Sequence, residues 1–170
     1  MGKLACQGTW VEEFELAILE IHKYGSPILR EVASPVKKVN REIKRLLDDL
    51  AETMYAAKGV GLAANQVGIL RRVVVVDVSL GKALIQLVNP VEIGREGEVS
   101  AVEGCLSVPQ YTGEVVRAKR ISVRGLGKNG QRVWVEAGGW LARAIQHELD
   151  HLDGRLFVDR AVKLMDASEA

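Results

Sequence analysis

His147 and His151, two of the chain's three histidines, stand four residues apart with Glu148 between them. In a helix this spacing puts both imidazoles on one face, a turn apart, where they can bind a single cation. Leu141, Ile145, Leu149 and Leu152 recur at helical spacing through the same stretch, so a helix is expected from about Gly139 to His151. Glu148 then lies about 100° further round. From there it can reach a water beside the cation but is badly placed to be a ligand, which is the pattern of metal-assisted hydrolysis with a carboxylate base. On the same wheel Arg143, Gln146 and Asp150 form a wet arc, and the histidines fall at its border with the apolar arc. A border position suits a metal on the floor of a cleft. Gly154 releases the chain, and Leu156-Phe157-Val158 is expected to cover the site from behind.

A catalytic site of this kind needs three protein ligands and one open position. Only 19 residues follow His151, and none is histidine. Asp153, Asp159, Asp166 and Glu169 lack supporting context, and His22 lies far away in an ambiguous segment. Cys105 is the stronger candidate, in the turn Glu103-Gly104-Cys105-Leu106-Ser107, where a nearby cation would favour the thiolate. The alternative is that Cys105 is a small buried hydrophobe.

The rest of the chain supplies the frame. Apolar residues between Phe14 and His22 suggest a strand, ended by Gly25-Ser26-Pro27, and Ile28-Leu29-Arg30 reads as extended or turned between two prolines. Asn40 is a good N-cap for a second helix near 40–57, with Ile43, Leu46, Leu47, Leu50 and Met54 on one face and Gly59 placed to cap its end. Gly59-Val60-Gly61-Leu62-Ala63-Ala64-Asn65-Gln66 reads equally well as a cap and loop or as backbone meeting a ligand closely. Strands are expected at Arg72–Val78 and Ala83–Val88, the latter stopped by Asn89-Pro90. A hairpin is expected from Glu114–Arg124 to Gln131–Glu136, turning at 127–130. Runs of strands flanked by two helices indicate an α+β fold.

With 170 residues, 48% of them hydrophobic and 26% charged, residues 1–170 fit one domain, with 1–20 as an extension. The 23 basic and 22 acidic residues are dispersed, which argues against a strong nucleic-acid footprint and against DNA as a partner. Apolar runs such as Val73 to Val76 fall far short of the roughly 20 residues of a membrane span. Cys6 and Cys105 are too few for a disulfide framework, so a reducing compartment is expected.

Three separated segments, 59–66, 103–107 and 146–151, resemble the three motifs of the peptide deformylases in order and separation, and the similarity extends from about Tyr24 through Asp159. The resemblance implies a fold of mostly antiparallel sheets packed around the C-terminal metal-binding helix. It also implies hydrolytic removal of the N-formyl group from the initiator methionine of new polypeptides, with release of formate. In that reading Cys105, His147 and His151 hold one divalent metal, usually ferrous iron, with zinc, nickel or cobalt able to replace it. Glu148 handles the proton, and the Gln66 side chain and the Leu106 backbone N–H stabilise the oxyanion. Val60 and Gly61 pair with the extended peptide, and Val60, Trp140, Arg143 and Ala144 line the methionine pocket. Asn65 and Trp140 depart from the commoner residues at their positions. The Gly139-Trp140 pair is similar to the organellar branch, so an organellar location stands beside the bacterial cytoplasm. At most transient ribosome contact is expected, and the oligomeric state is left open. The rivals are an HExxH zinc endopeptidase and a structural zinc module, and the second needs neither Glu148 nor Gln66.

Overall fold

A computed structural model describes residues 17–169. The first helix, α1 (Arg41–Ala56), starts where Asn40 predicts, with the Asn40 side chain accepting from the Ile43 N–H at 3.0 Å. Such a cap contributes about 1 kcal/mol. Leu47, Leu50 and Met54 are fully buried, each worth roughly 1.5–3 kcal/mol relative to exposure. The helix end differs from expectation by one residue. Lys58, at φ 57°, takes the left-handed position, and Gly59 N–H returns to the Met54 carbonyl at 2.9 Å. Gly59 is small for another reason, since a Cβ there would collide with the Leu106 side chain.

Five strands follow before the second helix: β1 (Gly61–Ala63), β2 (Val73–Val76), β3 (Ile85–Cys105), β4 (Val108–Leu126) and β5 (Arg132–Gly138). They form one antiparallel sheet in chain order, and β6 (Lys163–Asp166) joins β4 at Tyr111–Glu114. The continuous valine run of β2 has a simple cause. Val73 and Val75 pack with α1, while Val74 and Val76 pack with the second helix, α2 (Gly139–Leu152). Buried on both faces, this strand carries no polar alternation. The fold is α+β, with both helices laid on an antiparallel sheet.

Three expectations are corrected. The segment 17–22 is irregular, because two of its N–H groups go to side chains instead of a ladder, Ala17 to Asp49 and Leu19 to Thr53, each at 2.9 Å, and that of His22 goes to the Gln66 carbonyl at 2.7 Å. Residues 14–16 of the expected strand lie outside the described residues. Asn89-Pro90 does not stop β3 but shifts its register as a bulge, with Asn89 at φ 51°. The Asn89 amide replaces the lost ladder by exchanging two 2.8 Å bonds with the Val36 backbone. The third correction concerns α2, whose supposed wet arc is buried, with Arg143, Gln146 and Asp150 all 4–6% exposed.

Candidate metal centre

β3 ends at Cys105, and the chain reverses through Leu106-Ser107 into β4 directly in front of α2. The Cys105 Sγ lies 3.3 Å from His151 Nε2, and the two Nε2 atoms of His147 and His151 are 3.2 Å apart. One ligating atom from each of the three residues falls within 4.8 Å of the others. So close a meeting of two imidazole nitrogens and a sulfur is favourable only with a shared proton or cation between them.

The proton positions argue for a cation. His147 Nδ1 lies 3.0 Å from a Glu103 carboxylate oxygen, which places the ring proton there and turns the Nε2 lone pair inward. Glu103 is buried, and burial raises its pKa. The charged Arg117 and the bond to His147 outweigh that and hold it at about 2. Burial lowers His147 too, but Cys105, Glu103 and Glu148 draw it well above its ordinary value. His151, disfavoured by burial and by the charge on His147, is pushed well below. A thiolate and two imidazoles are a suitable donor set for a divalent first-row ion.

Glu148 completes the arrangement. Burial pushes its pKa up to about 7, and its Oε2 has no hydrogen-bond partner. A Cβ on Gly61 would strike this carboxylate, so the glycine is what allows β1 to pass against it. Gln66 is fixed at its oxygen by the Ala63 N–H at 2.9 Å, and its Nε2 donates to Ser107 Oγ at 3.1 Å and towards Cys105 Sγ at 3.6 Å. Phe157 stacks behind His147 with centroids 6.1 Å apart, the covering role expected for 156–158.

A cavity of about 440 Å³ opens in front of these groups. Every residue singled out from the sequence except His151 lines it: Val60, Gly61, Gln66, Cys105, Leu106, Trp140, Arg143, Ala144, His147 and Glu148. Arg143 is the least free of them. Its guanidinium bonds Glu103 at 2.7 Å and the Val99 and Val115 carbonyls, so the group faces away from a ligand. A larger cavity of about 530 Å³ behind α2 contains neither histidine nor cysteine. Glu103 lies in the motif read from the sequence, yet no role follows from that motif alone. The signal for it is the need of a ligating imidazole for an acceptor on its second nitrogen.

A half-buried thiol, two buried histidines and a carboxylate poised near neutrality beside a cavity define a metal-dependent hydrolase. A profile of the polypeptide deformylase family matches residues 18–167. The chain is 49% identical over 149 residues to the peptide deformylase of Halothermothrix orenii, covering 88% of this chain and 97% of that one. It is 51% identical over 146 residues to that of Carboxydothermus hydrogenoformans, covering 86% and 95%. Among solved structures, a peptide deformylase from Legionella pneumophila superimposes with a TM-score of 0.83 at 41% identity, covering 85% and 86% of the two chains. One from Synechococcus elongatus, in complex with actinonin, gives 0.82 at 39%, covering 84% and 80%. The chain belongs to the polypeptide deformylase family.

Proposed function

We propose that Cys105, His147 and His151 hold one divalent cation and that Glu148 transfers the proton in hydrolysis of the formyl amide of N-formylmethionyl polypeptides, releasing formate. Removal of that formyl group from new polypeptides is the activity of the family. The observation that carries the assignment is the convergence of three ligating atoms beside a buried carboxylate oxygen with no partner. When bound, such an ion supplies a Lewis acid for the formyl oxygen and makes water a nucleophile near neutral pH. Ferrous iron is our choice for the cell, with zinc, nickel or cobalt able to occupy the same donors.

The chain's own groups do the rest. Glu148, with a pKa of about 7, accepts a proton from water and returns it to the departing amine at the same pH. The Gln66 Nε2 and the Leu106 backbone N–H are proposed as oxyanion donors. β1 is an edge strand, so the Gly61 backbone is offered to an extended peptide, while Val60, whose carbonyl accepts from the Asp77 N–H at 2.8 Å, would contribute its side chain beside it. The methionine side chain would enter between Val60, Trp140 and Ala144, with the stem of Arg143 beneath it. Glu103 holds His147 in the ligating tautomer. We read the chain as a single catalytic domain after a short extension, with any ribosome contact transient. The bacterial cytoplasm is the proposed compartment, since the relatives are bacterial and no described helix is long and apolar enough to cross a membrane.

The test is formate release from a formyl-Met-Ala peptide by protein loaded without oxygen with iron or nickel, because ferrous thiolate sites oxidise. Glu148→Ala should keep its metal and lose about 10²–10⁴ in turnover. Absence of formate from the loaded wild type would sink the activity, and a fully active Glu148→Ala would sink the base.

A further inference from the structure

The face of the sheet that turns away from α2 carries an unexplained grouping. Trp134 on β5 is 63% exposed and sits directly across the ladder from Arg124 on β4, which is in turn opposite Val91 on β3. Arg132, two residues before Trp134, points to the same side, one rung further along. These side chains and Asn89 border a cleft of about 330 Å³ that has no carboxylate in its lining. Among the described residues neither Arg124 nor Arg132 has an acidic partner. The acidic groups of this face lie further along: Glu136 accepts from Ser122 Oγ at 2.7 Å, and Glu96 stands opposite Arg120.

A cross-strand Trp–Arg pair stabilises a sheet by itself. It does not require a second free arginine, a cleft, or the exclusion of carboxylates from that cleft. An indole face left open between two unpaired guanidinium groups is the combination that holds single-stranded nucleic acid, with a base on the ring and phosphates on the cations. An acidic protein segment would use the arginines but has no need of the indole face.

We infer that this cleft is a binding site for single-stranded RNA, one base stacking on Trp134 and the adjoining phosphates lying against Arg124 and Arg132. The site is separate from the metal centre and shares none of its residues. It is small, which agrees with a chain of formal net charge +1: two or three phosphate contacts give weak, strongly salt-dependent binding.

The experiment is fluorescence anisotropy of a short labelled oligouridylate with the full chain, at low salt and across a salt series. The wild type should bind, and Trp134→Ala should weaken binding about tenfold or more. Arg124→Ala with Arg132→Ala should lower the slope of log K against log salt by about 1.4, two contacts at about 0.7 each for a single strand. Trp134→Phe and the two Arg→Lys replacements should retain most of the binding, which separates contact from misfolding. All variants should release formate from a formylated peptide at the wild-type rate. No binding by the wild type at low salt overturns the inference. Alanine variants that bind like the wild type do the same, as does a polyglutamate peptide that competes as well as RNA and ignores Trp134→Ala.

Discussion

The two helices are built on opposite principles. Of the eight buried residues of α1, only Asp49 and Thr53 are polar, and both are used to hold the segment 17–19 by its backbone N–H groups. Of the ten buried residues of α2, six are polar: Arg143, Gln146, His147, Glu148, Asp150 and His151. α1 is an anchor that hydrophobic burial chiefly keeps in place. α2 enters the interior only because its partners wait there. Arg143 meets Glu103, Asp150 meets Arg117 and Arg160, and Gln146 exchanges 2.9 and 3.0 Å bonds with the Ala118 backbone. A buried ion network adds little net stability over apolar packing, but losing one member leaves charges stranded. α2 therefore trades robustness for a fixed orientation of its histidines.

The sharpest way to break this contrast is Glu103→Ala. It takes the acceptor from Arg117, Arg143 and His147 at once, leaving guanidinium groups buried with too few partners. We expect a loss of about 3–5 kcal/mol in denaturant unfolding. A 10–100-fold loss of metal affinity should accompany it, as His147 loses the acceptor that sets its tautomer. If metal retention and stability both stay at wild-type values, the network is not what orients α2. Leu50→Ala makes the matching cut in α1, where the side chain is fully buried. It should cost about 2–5 kcal/mol, with the turnover of the folded fraction unchanged, since nothing on that helix face reaches the cavity. A drop in kcat at temperatures where the variant is folded would mean that the two helices are not independent.

The same contrast decides what could be read from the chain. Spacing of Ile43, Leu46, Leu47, Leu50 and Met54, with Asn40 before them, was enough for α1, because each residue's role is visible in its own type. On α2 the helix and the His147–Glu148–His151 constellation were equally legible. Arg143, Gln146 and Asp150 were not, since a polar side chain on a helix reads as solvated unless its partner is known, and here the buried partners Ala118, Arg117 and Glu103 are 28–40 residues away. β3 was read short for a related reason. Asn89-Pro90 breaks a strand locally, and only the distant Val36 backbone repairs it. Cys105 became a candidate by elimination and by family resemblance, and the fold of β3 into β4 is what carries it to the histidines.

α1 has electrostatic ties of its own, Asp48 to Lys128 and Tyr55 to Asp77, and the second offers the smallest and cleanest test. Tyr55, in the last turn, donates to the Asp77 carboxylate at 2.7 Å, just past β2. Burial of Asp77 raises its pKa, but bonds from the Ser79 hydroxyl, Tyr55 and the Ser79 and Gly81 amides overcome this and hold it at about 2. A carboxylate with a lower pKa folded than unfolded stabilises the native state above its ordinary value near 4. That contribution fades as pH falls through 4 towards 2. The full effect is at most about 2.5 kcal/mol, at about 1.4 kcal/mol for each tenfold change in proton affinity. Urea unfolding at pH 7 and at pH 3 should show the loss in the wild type. Asp77→Asn should be less stable at pH 7 yet lose less between the two pH values, and Tyr55→Phe should fall between them. If Asp77→Asn keeps the wild-type acid slope, the acid sensitivity belongs to other carboxylates, the buried ones facing α2 first among them, and the Tyr55–Asp77 tie contributes nothing to holding α1.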